Sequence, residues 1–156
     1  FDPSNALRDA MSATKFGRPF SFDTPPKVFT GWYKYKAGAQ FTDRFMNVLE
    51  QRDYGTIYAV LYDNHNAQGE AICLYGDNVQ TSDRVVALAR LDNIDDTPEW
   101  TPFTLNFIYR KAVDAQKLRT GGYSLAIVCS SSTSGAEFMG AVGSTLWVDQ
   151  FRVVCE

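Results

Sequence analysis

Apolar residues recur with a period of two along most of this chain, in short segments broken by turn-forming residues, which is the pattern of strands. Phe20–Asp23, Val28–Lys36, Ile57–Asp63, Ala71–Tyr75, Val85–Leu91, Thr101–Arg110, Tyr123–Ser130 and Thr145–Cys155 read as strands. Pro25-Pro26, Gly38, Gly55, Asn64–Gly69, Gly76-Asp77-Asn78, Asp92–Pro98 and Gly121-Gly122 punctuate them. In the sixth segment Phe103, Leu105, Phe107 and Tyr109 share one face, with Thr104, Asn106, Ile108 and Arg110 opposite, so one side packs and the other is partly wet. Tyr123, Leu125, Ile127 and Cys129 likewise share one side. Ile57–Tyr62 and Val85–Leu91 are apolar on both faces, as in central strands covered twice. Only Asn5–Thr14 carries a helical pattern, capped by Ser4 or Asn5. Strands without helical crossovers, and without an internal repeat, predict an all-β fold: a two-sheet antiparallel β-sandwich.

Length and composition agree with that pattern. The chain of 156 residues predicts one β-sandwich domain over 1–156, with 1–15 as an N-terminal linker or short helix. A 45% hydrophobic and 14% aromatic content excludes disorder. Fifteen basic residues against 18 acidic ones, spread along the chain, leave no electrostatic footprint for a polyanion such as nucleic acid. No apolar run reaches the ~20 residues needed to span a bilayer, and the start at Phe1, without Met or a signal pattern, reads as a domain excised from a larger protein. Cys73, Cys129 and Cys155 are widely spaced and sit in apolar contexts, so buried free thiols are expected rather than disulfides or a zinc site.

The aromatic content also suggests chemistry. Sugar recognition needs flat aromatic surfaces for the C–H faces of pyranose rings and polar groups for the hydroxyls. In Gly31–Lys36, Trp32, Lys34 and Lys36 alternate with Tyr33 and Tyr35, which makes Trp32, Tyr33 and Tyr35 candidate ligand contacts. Trp147 is a further candidate, although its phase with Asp149, Phe151 and Val153 assigns it to the core. Trp100 reads as a core plug. Arg90 stands inside an apolar strand and must find acceptors, either sugar hydroxyls on a concave face or a carboxylate such as Asp63 or Glu70. Asp63, Glu70, Asp77, Asp83 and Glu99 could supply a glycosidase pair, but no spacing selects two of them, and no catalytic residue is assigned. His65 lies alone in a polar loop.

Several segments, in order, resemble the putative carbohydrate-metabolism domain family of Bacteroidetes exported proteins: Gly31–Gly38 (GWYKYKAG), Ile57–Asp63 (IYAVLYD), Val85–Leu91 (VVALARL), Trp100–Phe103 (WTPF) and Ser130–Asp149, which ends GAVGSTLWVD. The resemblance covers Phe16–Glu156. It implies a galactose-binding-like jelly roll, often C-terminal to an adhesin-like β domain, at the outer-membrane surface or outside the cell, with polysaccharide or oligosaccharide as partner. Members have been labelled putative glycoside hydrolases. The chain departs from the family pattern at Gln150, where many members carry a second acidic residue. Asp149 resembles the acidic residue that carbohydrate-binding jelly rolls place beside a structural calcium, and is the candidate metal ligand. No other cofactor is indicated. The reading is a carbohydrate-binding or carbohydrate-processing accessory module. The alternatives are a glycoside hydrolase with an acidic pair on the concave face, and a non-binding structural or adhesin spacer.

Overall fold

The computed structural model describes residues 12–156. In chain order the elements are β1 (Lys15–Phe16), β2 (Arg18–Phe20), β3 (Val28–Lys36), β4 (Phe41–Thr42), β5 (Val48–Leu49), β6 (Gly55–Asp63), β7 (Leu74–Tyr75), β8 (Val85–Ile94), β9 (Thr97–Asn106), β10 (Ile108–Tyr109), α1 (Ala115–Arg119), β11 (Tyr123–Ser130), β12 (Gly140–Ala141) and β13 (Thr145–Val154). The helix expected over Asn5–Thr14 lies outside the described residues except for its last part, where Ser12 and Ala13 are helical.

A five-stranded sheet in the order β10-β8-β6-β11-β2 faces a three-stranded sheet in the order β13-β3-β9, and every ladder is antiparallel. This is the all-β sandwich that the alternation predicts. Between the sheets Phe29, Phe103 and Phe151 meet edge to face, with centroids 5.1 to 5.8 Å apart, over Ile57, Ala59, Leu61, Ala87 and Ala89. Gly31 sits beneath these rings: a Cβ there would lie 2.5 Å from Phe151 and 2.8 Å from Phe103, so the position admits no side chain. The other face of β6 is buried as well. Tyr58, Val60 and Tyr62 pack with Leu74 and Val79 from the connection between β6 and β8, which explains why β6 is apolar on both sides.

Several boundaries differ from the sequence pattern. The strand expected over Thr101–Arg110 is two strands in different sheets. The chain leaves β9 at Phe107, whose N–H donates to Lys27 O at 2.9 Å, and joins the large sheet as β10. The acidic run expected to be a loop instead extends β8 and β9 to a tight turn at Asp95-Asp96. Arg52 donates to both carboxylates at 2.7 Å, and the Ala37 N–H also donates to Asp96 at 2.7 Å, which neutralises the run. Cys73 and Cys129 are exposed and Cys155 is half-buried, not buried as expected. Ile127 and Cys129 point the same way as the core residue Leu125 but lie beyond the reach of β2, which pairs with β11 only over Tyr123–Leu125. The short helix α1 escaped the sequence reading, although Asp114 caps it by accepting the Lys117 N–H at 2.7 Å.

One buried carboxylate holds the upper end of the sandwich, where β3 ends and β6 and β13 begin. Asp53 is 1% exposed. It accepts the Ala141 N–H at 2.8 Å and the Ser144 hydroxyl at 2.7 Å, and Ser144 Oγ in turn accepts the Gly38 N–H at 3.0 Å. Three loops therefore converge on one side chain. Asp53→Ala leaves these donors without an acceptor, and denaturant unfolding should show a loss of about 2–3 kcal/mol. An unchanged midpoint would show that the loops hold themselves together.

Candidate functional site

The outward face of the three-stranded sheet is built by strict alternation along β3. Phe29 and Tyr35 point into the core at 0% and 1% exposure, and Tyr33 leans on Phe103, so Trp32, Lys34 and Lys36 face outward. On β9 the inward Phe103 places Trp100 and Pro102 on the outer face, with Pro102 beside Trp32. Two extra residues of β9 between the Tyr33–Thr101 and Tyr35–Thr97 pairs preserve this phase, because an even insertion does not change the side.

On β13 the phase does change. Asp149 pairs with Trp32 and Arg152 with Thr30, so three steps along β13 answer two along β3, and Gln150 takes up the extra residue at φ 52°. Trp147 and Asp149 before the bulge face outward, while Phe151 and Val153 after it face the core. The expectation that Trp147 is a core residue is therefore corrected: it assumed unbroken alternation through Gln150. Trp100, expected to plug the core, is likewise on the surface. Trp32, Trp100 and Trp147 are 39%, 44% and 42% exposed, and all three tryptophans of the chain lie on this one face.

Lys34 joins two of them. Its Nζ lies 5.1 Å from the Trp100 ring centroid and 5.5 Å from that of Trp147, one from each neighbouring strand, within cation–π range of both. The indoles are thus spaced two strands apart, roughly 9–10 Å, with the ammonium between them. A groove of about 350 Å³ lined by Lys34, Lys36, Thr97, Pro98 and Trp147 continues the face upward.

The remaining expected site residues fall elsewhere. Tyr35, proposed as a ligand contact, points into the core, where its hydroxyl donates to Ser131 O at 2.8 Å, and reaches the site only in the lining of the groove beside Trp147; Tyr33 is half-buried against Phe103. Arg90 is on the far side of the large sheet, exposed, and pairs with Asp92 two residues along its own strand rather than with Asp63 or Glu70. It lines a separate hollow of about 500 Å³ with Leu88, Thr104, Asn106, Ile108 and Arg110. Asp63 lies at the lower end of β6, paired with Lys117 at 2.5 Å. Glu70 accepts from Asn66 Nδ2 at 2.7 Å within its own loop. Asp149 accepts the Gln150 N–H at 2.8 Å. Among the described residues no group of three or more His, Cys, Asp or Glu could hold a metal.

Trp100 and Lys34 are the residues that the sequence reading missed as site components. The signal for Trp100 was present: Phe103 and Leu105 inward already place residue 100 outward by parity. For Lys34 nothing in the sequence shows that two indoles from other strands flank it.

Fold and face together describe an antiparallel sandwich that displays indoles on an open sheet surface. The chain belongs to a family described as putative carbohydrate metabolism domain, whose model matches residues 1–154. It is similar to two solved structures, each named a putative glycoside hydrolase. The protein from Bacteroides thetaiotaomicron VPI-5482 is 40% identical with a TM-score of 0.86; the match covers 100% of this chain and 45% of that one. For the protein from Bacteroides vulgatus ATCC 8482 the values are 39%, 0.83, 100% and 61%. This chain thus spans less than two thirds of either. No curated protein matches it.

Burial pushes the Asp63 carboxyl upward, but the Lys117 hydrogen bond, the His65 N–H and the neighbouring positive charge outweigh this and hold it below the usual carboxylate range. A depressed value contributes stability above the ordinary carboxylate range, and that stability is lost as pH falls through the folded value. Both side chains are about a third exposed, which screens the pair. Asp63→Asn should cost no more than about 1 kcal/mol near pH 7, with the difference from the parent protein closing in acid. A difference that persists at low pH would assign the effect to packing.

Proposed function

We propose that this domain is a glycan-recognition module and that the outer face of β13-β3-β9 is its binding surface. The observation that carries this reading is the gathering of Trp32, Trp100 and Trp147, half-exposed, on one open sheet face. Single exposed apolar side chains are ordinary, but a patch of them on one face marks an interaction surface. Three on one sheet face match the stacking needs of pyranose rings, whose C–H faces are apolar and whose hydroxyls point outward in the ring plane. The family description and the names of the two Bacteroides relatives support carbohydrate as the ligand class.

Recognition is favoured over hydrolysis by the carboxylates. Asp53 anchors loops, Asp63 holds Lys117, Asp92 holds Arg90, and Asp95 and Asp96 hold Arg52. Each of these is committed to a structural partner. In this reading the domain is an accessory module of an exported bacterial protein, and it brings polysaccharide to whatever chemistry the rest of that protein performs.

Titration with soluble oligosaccharides and co-sedimentation with insoluble polysaccharides test the proposal. Trp147→Ala or Trp100→Ala should each weaken binding by roughly 10-fold or more, the equivalent of losing about 1.5–3 kcal/mol of aromatic contact. Unfolding midpoints should hardly move, because neither side chain is in the core. Binding that survives both substitutions would place the glycan elsewhere.

A further inference from the structure

Charge is distributed unevenly over this protein. The chain carries a formal net charge of -3, yet the tryptophan face gathers three cations beside one carboxylate, Asp149. Lys34 and Lys36 project from β3, and Arg152, paired in register with Thr30 just past the bulge, projects from β13 on the same side. Among the described residues none of the three is in an ion pair; the cations that are paired, Arg52, Arg90 and Lys117, lie elsewhere. Asp96, near Lys36 in the groove, is already held by Arg52 and the Ala37 N–H. Asp149, the face's own carboxylate, accepts from the Gln150 N–H.

Lys34 decides what such a face accepts. Its ammonium lies between the Trp100 and Trp147 rings, so a sugar chain laid across both indoles must cover it. Covering an ammonium strips water from a charge, and that costs free energy unless the ligand returns an anionic partner. A neutral glycan offers only hydroxyls. A uronate carboxylate or a sulfate ester offers full charge and short charge-assisted hydrogen bonds, while the sugar ring still stacks on the indoles. Lys36 and Arg152 extend the same preference along the face.

We infer that the ligand of this surface is an anionic polysaccharide, with carboxylate or sulfate groups read by Lys34, Lys36 and Arg152. The inference rests on the tryptophan face being the glycan site. Its test compares polygalacturonate, the same polymer with its carboxylates methyl-esterified, and chondroitin sulfate, each at about 0.05 and about 0.5 M salt, a range over which screening shortens from above to below 10 Å. Polygalacturonate or chondroitin sulfate should bind more tightly than the esterified polymer and weaken at high salt, and which of the two binds better identifies the charged group. Lys34→Gln should weaken the acidic ligand about fivefold and reduce the salt dependence of its binding. Equal binding of the charged and esterified polymers, indifferent to salt and to Lys34→Gln, would overturn the anionic preference and leave glycan recognition standing. No binding to any of the three, with neutral glycans also failing, would overturn both.

Discussion

One extra residue in β13 separates the core of this domain from its surface chemistry. At Gln150 the strand takes up a left-handed residue and its alternation reverses, so Trp147 and Asp149 face outward while Phe151 and Val153 face in. Without the bulge, either Trp147 would be driven into the space filled by the Phe29, Phe103 and Phe151 rings, or Phe151 would be turned to solvent. Neither is compatible with a core in which Gly31 is already within 3 Å of two rings once a Cβ is added. The left-handed conformation of a non-glycine residue costs about 1–2 kcal/mol. The packing of Phe151 over Gly31 outweighs that cost.

The rest of the architecture supports the tryptophan face from behind. The three-stranded sheet rests on a core that the large sheet backs from behind, and β6 is buried on both sides, which fixes the platform under β3. At the upper end, Asp53 ties together the loops after β3, before β6 and before β13. The indoles thus ride on strands rather than on loops.

Much of the fold could be read from the sequence, because alternation is a local signal. β3 and β11 appear with the boundaries that Val28–Lys36 and Tyr123–Ser130 predict, and the doubly apolar character of Ile57–Tyr62 reflects burial on both faces. What could not be read depends on pairing between distant segments. The two-residue strands β1, β4, β5 and β12 have too few residues to show a period. The split at Phe107 follows from which sheet each half joins, and the Asp95-Asp96 turn is ordered by Arg52, some 40 residues earlier in the chain. The site was half legible for the same reason. Trp32 follows from β3 alone. Trp147 required the register across β13, and Tyr35 and Arg90 proved to be a core residue and a member of a separate surface pair.

The most direct test of the account is to follow the three indole N–H signals by heteronuclear NMR as oligosaccharide is added. Indole and backbone shifts at Trp32, Trp100 and Trp147, together with the Lys34 amide, should move in parallel with one dissociation constant, while the loop around Ser131–Ser132 and the hollow beside Arg90 stay unchanged. Perturbations confined to that loop or to the Arg90 hollow, with the indoles silent, would contradict the assignment of the three-stranded face as the binding surface.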